Sequence, residues 1–240
     1  MRFMFSAALA IVASFATGPA IAMVAGADAP GLARHTVMVL GSKGGFCTGV
    51  VVARNAVLTA GHCATGSGDY RVHWKDAAGQ PVLVKPAAIA PHPQFDKAGA
   101  TARRRTVDLA LIRLAEPLPA SFTPLPLGGA MPATGQAWTV AGYGLATEGD
   151  PRTGGTLRQA SLGVVEPYGP SKILVWLRGA PGSGACTGDS GGPILDPAGA
   201  LGAVTAWAEG TGKARCGALT QGVLVAPQRG WIEGVLAGWR

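Results

Sequence analysis

Charge is scarce in this chain. Asp, Glu, Lys and Arg make up 14% of its 240 residues, against about 25% in an ordinary globular protein, so Ala, Gly and Thr must form much of the surface. Aromatic residues reach only 6%, and apart from Arg103-Arg104-Arg105 the basic residues are scattered. A net charge of +7 without a basic stripe or interleaved aromatics argues against a nucleic-acid partner and leaves solubility and weak surface adhesion. Beyond the amino-terminal leader no apolar run approaches the roughly 20 residues that a membrane-spanning helix needs. There is no Cys-x-x-Cys or His-x-x-x-His spacing to hold zinc, and no cluster of carboxylates in a loop to hold calcium. No metal and no cofactor is therefore expected.

What is present begins with that leader. Arg2 supplies a short positive region, Phe3 to Phe15 is an almost uncharged apolar run, and Ala20-Ile21-Ala22 puts small residues three and one before a cut after Ala22. This is the pattern of a secretory signal peptide, residues 1–22. The run before Gly18-Pro19 is too short for an anchor, and no cysteine near the seam offers a lipid anchor. The mature chain is expected to start at Met23, free of the membrane, in a periplasmic or extracellular space. Cleavage removes one positive charge, Arg2.

Cys47, Cys63, Cys186 and Cys216 all follow the cut, and an oxidising destination favours disulfides. Four cysteines allow three pairings. With one pair in each half of the chain, 47–63 and 186–216 is the economical choice. Around them, short β-branched runs recur between Gly, Pro and Asn punctuation, at about 35–41, 46–52, 56–60, 70–75, 81–89 and 108–114, then 137–142, 156–165, 172–177, 193–196, 200–208 and 221–226. Six and six predict an all-β protein of two antiparallel β-barrels, residues 23–130 and 131–240, joined by a Pro-rich crossing segment. "PQRGWIEGVLAGWR" pairs Trp231 with Val235 and Ile232 with Leu236 at i,i+4, which predicts a short carboxy-terminal helix.

Three stretches carry chemistry: "LTAGHCA" at 58–64, "TVDLALIRL" at 106–114 and "CTGDSGGP" at 186–193. Each alone is explicable as a His after a strand, an Asp capping a strand or a Gly-rich turn. Together, with "VAGYG" at 140–144, they resemble the chymotrypsin and trypsin family of serine peptidases over nearly the whole mature chain. A serine hydroxyl is a poor nucleophile near neutral pH and needs a base. The resemblance implies that Ser190 attacks a carbonyl, that His62 takes its proton, and that Asp108 holds the imidazole in the useful tautomer. It also implies an oxyanion hole from the backbone N–H groups of Gly188 and Ser190, each such donor being worth roughly 3 to 4 kcal/mol.

The seam gains meaning from the same resemblance. In the family a freshly exposed α-amino group enters the interior and pairs with the Asp before the catalytic Ser, here Asp189. Met23-Val24-Ala25-Gly26 resembles the family's mature start, so export itself would yield active enzyme. For specificity the resemblance points to Gly184 and Ala185 at the pocket floor, and to Ala208 and Gly222 at its walls. No carboxylate stands at the floor to receive Arg or Lys, and burying an unpaired cation costs several kcal/mol; uncharged small or medium residues are expected. The loop 208–214 is longer than usual.

Ala206 departs from the family pattern, where a Ser commonly bonds the triad Asp; Thr205, water or another donor would have to substitute. His35, His73 and His92 read as packed or surface histidines, and Arg103 to Arg105 as a solvated loop that could also hold acidic substrate segments. The expected partners are protein or peptide substrates, with a proteinaceous inhibitor as a further candidate. Two other readings stand beside the peptidase: a catalytically silent binding module of the same fold, and an esterase. The esterase reading lacks a Gly-x-Ser-x-Gly elbow.

Overall fold

The structure is a computed structural model that describes residues 23–24, 26–101 and 105–239. The expected signal peptide, with Ala25, Arg103 and Arg104, lies outside the described residues. After a two-residue strand β1 (Ala27–Asp28), the first sheet is built from β2 (Thr36–Gly41), β3 (Phe46–Ala53), β4 (Ala56–Thr59), β5 (Tyr70–Lys75), β6 (Pro81–Val84), β7 (Ala88–Pro91) and β8 (Ala110–Arg113). Its order is β6-β5-β2-β3-β4-β8-β7. The run expected as one strand at 81–89 divides in two, with β6 on β5 and β7 on β8. Pro86, between them, has no N–H to give a ladder. The two edges of the sheet are thus successive pieces of chain.

The second sheet contains β9 (Ala137–Gly142), β10 (Arg158–Val165), β11 (Leu174–Arg178), β12 (Pro193–Leu195), β13 (Leu201–Glu209) and β14 (Leu219–Leu224). β10 pairs with both β11 and β9, which closes these six antiparallel strands into a barrel. β1 adds to β10, so the amino-terminal residues belong spatially with the second sheet. The expected all-β architecture of two antiparallel barrel-like sheets with a short final helix is what the chain adopts, the first sheet being the less regular.

Inward-facing β-branched and aliphatic residues explain the closure, because alternate residues of each strand face one side. Val37, Val39, Val57, Val72 and Ile112 fill the first sheet; Trp138, Val140, Leu162, Leu177, Ile194 and Met23 fill the second. A third cluster joins Val50, Leu58, Leu109 and Leu111 to Leu201, Val204 and Val223. Each fully buried aliphatic side chain contributes roughly 1.5 to 3 kcal/mol, so this shared cluster fixes one sheet against the other. The final helix α3 (Arg229–Gly238), which follows the short helices α1 (Gly61–Ala64) and α2 (Lys97–Thr101), adds Ile232 to the shared cluster. Trp231 meets His92 edge-on with ring centres 4.6 Å apart. Burial holds the His92 imidazole below its ordinary value, opposed by a hydrogen bond with Gln228.

Candidate active site

β4 ends at Thr59, and the chain turns into the single-turn helix α1, whose second residue is His62. A disulfide from Cys63 to Cys47 on β3 fastens that turn. Gly61 must lack a side chain, because a Cβ would stand 2.9 Å from the Phe95 ring and 3.0 Å from Asp108 Oδ1. Asp108 lies in the segment leading into β8, its side chain 7% exposed beside the 35% exposed imidazole of His62. The His62 backbone N–H donates to Asp108 Oδ1 at 2.8 Å, and Nδ1 lies 2.6 Å from Oδ2. A carboxylate only accepts, so Nδ1 carries the proton and Nε2 keeps its lone pair.

Both carboxylate oxygens of Asp108 are thus held by His62 itself. Thr205 does not substitute for the donor missing at Ala206: its hydroxyl is buried without a hydrogen-bond partner among the described residues. The His62 backbone N–H, a donor that no residue type announces, orients the carboxylate. His62 Nε2 is 3.6 Å from Cys63 Sγ, and Ser190 Oγ makes no hydrogen bond among the described residues. His62, Asp108 and Ser190 line one cleft of about 1130 Å³; contacts between nucleophile and base often tighten only when substrate is bound.

The loop bearing Ser190 is tied by the Cys186–Cys216 disulfide. Gly188 has φ of +98°, a left-handed value that glycine adopts without cost, and a Cβ there would collide with the Phe46 ring. Among the described residues no acceptor engages the N–H of Gly188 or Ser190. Asp189 between them is fully buried. Its Oδ1 accepts from Gly144 N and its Oδ2 from Cys186 N, each at 2.8 Å. A Cβ on Gly142 or Gly144 would enter the carboxylate, which explains the glycines of "VAGYG".

Burial pushes the Asp189 carboxyl up to about 7, while the two N–H donors and the charge of Arg158 pull it back. No cation pairs with it among the described residues. Met23 is 1% exposed, in the core of the second sheet, with φ of +53°. Val24 forms a bridge with Gly184, whose N–H donates to Val24 O at 3.1 Å.

Of the four expected pocket residues, Ala208 lines the cleft, with Ala206, Trp207 and the Cys186–Cys216 disulfide. Gly184, Ala185 and Gly222 do not. Gly184 is covered by Val24, and Gly222 packs against Ile194 and Ala203 inside the second sheet. A bulge between Thr205 and Trp207 shifts the ladder, setting Gly222 opposite Thr205 and Thr220 opposite Ala208. Thr220 is buried and its hydroxyl accepts from Ala185 N at 3.0 Å. Gln221 is the residue that sequence reasoning missed: it lines the cleft and stands opposite Trp207 in the ladder. Only the strand register, which the bulge resets, could have revealed it. Arg105 also lines the cleft, as do Lys43, Lys97 and Arg215. His35 and His73 engage the carbonyls of Thr123 and Val82.

The family profile described as Trypsin matches residues 23–226. Mouse serine protease 56 is 31% identical over 194 residues, covering 70% of this chain and 31% of that protein. Human kallikrein-8 is 30% identical over 68% of this chain and 66% of its own length. The snake venom serine protease HS114 of Bothrops jararaca is 28% identical over 90% of this chain and 88% of its own. The chain thus spans about a third of the first of these and just under two thirds of the second. Among solved structures, neuropsin, described as a serine protease expressed in the limbic system of mouse brain, aligns with a TM-score of 0.73 at 24% identity, covering 88% of this chain and 98% of its own.

Proposed function

The chain belongs to the trypsin family, and from that premise we propose that it is an exported serine endopeptidase working through Ser190, His62 and Asp108. Ser190 Oγ attacks the peptide carbonyl carbon while its proton passes to His62 Nε2. The carbonyl electron pair moves onto oxygen, where the N–H groups of Gly188 and Ser190 receive the charge. Collapse breaks the C–N bond, and the leaving amine takes the proton from Nε2. Water then repeats the sequence on the acyl ester, releasing acid and free Ser190. Asp108 keeps Nδ1 protonated and offsets the imidazolium charge.

One observation carries the reading: the 2.6 Å His62–Asp108 contact lies in the same cleft as Ser190, whose own N–H and that of Gly188 have no acceptor among the described residues. We propose cleavage after small or medium uncharged residues, a preference supported by the Ala208 methyl in the cleft wall. The leader pattern and two disulfides support export. The Met23 amine, once freed, would supply the cation that Asp189 lacks. In domain terms the reading assigns His62 and Asp108 to residues 23–130 and Ser190 to residues 131–240.

Labelling with a fluorophosphonate tests the reading. A single adduct on Ser190, lost in His62→Ala, together with cleavage after Ala in a peptide library, is the expected result. A chain starting at Met23 that takes no adduct would instead be a silent binding module.

A further inference from the structure

We propose that Thr48 is a positioning residue for the oxyanion-binding loop, a role that rests on the peptidase reading above. Thr48 is the third residue of β3, directly after Cys47, and is fully buried. Although it belongs to the first sheet, it grips the loop of the second. Its backbone N–H donates to Ser190 O at 2.8 Å, and its hydroxyl donates to Gly188 O at 2.9 Å. The same hydroxyl oxygen accepts from Tyr143 N at 2.9 Å, and the Thr48 carbonyl accepts from Thr59 Oγ1 at 2.8 Å. The hydroxyl proton has one available direction, because Tyr143 can only donate and the Gly188 carbonyl can only accept.

Planar peptide groups make this grip consequential. The Gly188 N–H shares a plane with Thr187 O, held by Leu145 N at 2.9 Å. The Ser190 N–H shares a plane with Asp189 O, held by Gly192 N at 2.9 Å. The plane between them holds Gly188 O and the Asp189 N–H, which donates to Cys186 O at 3.1 Å, and glycine at 188 leaves its backbone freer to turn than another residue would. Thr48 Oγ1 holds the opposite side of that plane at Gly188 O, and Thr48 N holds the plane beyond Ser190 at Ser190 O. The two N–H groups that would receive the oxyanion, those of Gly188 and Ser190, have no acceptor among the described residues. Tyr143 precedes Gly144, the donor to Asp189 Oδ1, so one hydroxyl links both supports of the loop.

The test is Thr48→Val, with Thr48→Ser as the conservative partner and Thr48→Ala as a second deletion should the Val chain fold poorly. Full-length processed protein is assayed on a peptide amide with Ala before the scissile bond, and inhibition is measured with a peptide boronic acid, whose tetrahedral adduct occupies the oxyanion site. We expect Thr48→Val and Thr48→Ala to lose roughly 10- to 100-fold in kcat with KM within about twofold. Boronate affinity should fall in parallel, and Thr48→Ser should stay within about threefold of the parent. A deletion variant that lowers the melting temperature but leaves kcat and boronate affinity unchanged overturns the proposal. So does a loss that Ser fails to rescue. If the parent chain takes no fluorophosphonate, the peptidase reading itself falls, and with it the role of Thr48; a parent that labels while the variants turn over equally refutes Thr48 alone.

Discussion

Adding Gly-Ser ahead of Met23 would replace a free α-amino group by a peptide bond and leave Asp189 without a cation. The cost can be worked from the carboxyl's surroundings. Asp189 is fully buried, and its value stands at about 7 against an ordinary 3.8. A gap of about three pKa units at roughly 1.4 kcal/mol each penalises the buried anion by about 4 kcal/mol above pH 7. Ionisation thus shifts the equilibrium by up to about a thousandfold toward a loop in which Asp189 has left the interior, spoiling the site between Gly188 and Ser190. A carboxyl raised on folding is least unfavourable when protonated, so its penalty grows as pH rises from near 4 and levels off above 7. In the extended chain, turnover relative to the processed chain should be down by as much as about 10³-fold at pH 9 and by up to roughly 30-fold less at pH 5.5. The assay is the ratio of kcat for the two forms on one amide substrate across that range, which cancels every pH effect common to both. Equal turnover at every pH would refute the pairing; a deficit that does not change with pH would show that ionisation of Asp189 is not its cause.

The processed chain should behave in the opposite sense at high pH. An α-amino group has a reference value near 8, and a buried carboxylate partner raises it. The contribution of the pair is complete below the unfolded value and disappears as pH rises through the raised one. Activity should therefore fall reversibly at strongly alkaline pH, and acetylating the Met23 amine should abolish that limb; an unchanged limb would assign it elsewhere. At the pocket, Ala208→Gly should raise kcat/KM for Leu or Phe relative to Ala by about 10-fold, the worth of one methylene. An unaltered ratio would remove Ala208 from specificity.

Residue types that do chemistry were legible in the sequence. His62, Asp108 and Ser190 stand in local contexts that a turn, a strand end and a glycine loop impose, and the structure brings all three to one cleft. The glycines at 142, 144 and 188 were legible only as parts of motifs; what requires them, the Asp189 carboxylate and the Phe46 ring, is visible in the fold alone. The barrel strands were legible because short β-branched runs recur between Gly, Pro and Asn, and several of them are buried on both faces. The break at Pro86 was legible in principle, since proline cannot continue a ladder; the strength of the flanking "PVLV" and "AAIA" runs concealed it.

What escaped is set by register and by the backbone, neither of which is a residue type. A single bulge at β13 sets Gln221 opposite Trp207, in the cleft, and takes Gly222 into the core, so an assignment by position along the chain misses by one residue while every residue name is right. The donor that secures Asp108 is the His62 main chain, present whatever residue stands at 206. The loss of a side-chain donor there therefore leaves one charge-assisted bond in place, in a class worth about 1.5 to 3 kcal/mol. Thr48 belongs with these cases: in the sequence it is one threonine on a β-branched strand, where threonine fits without any role. Only the fold, which carries β3 across to Gly188 and Ser190, turns its hydroxyl into part of the site.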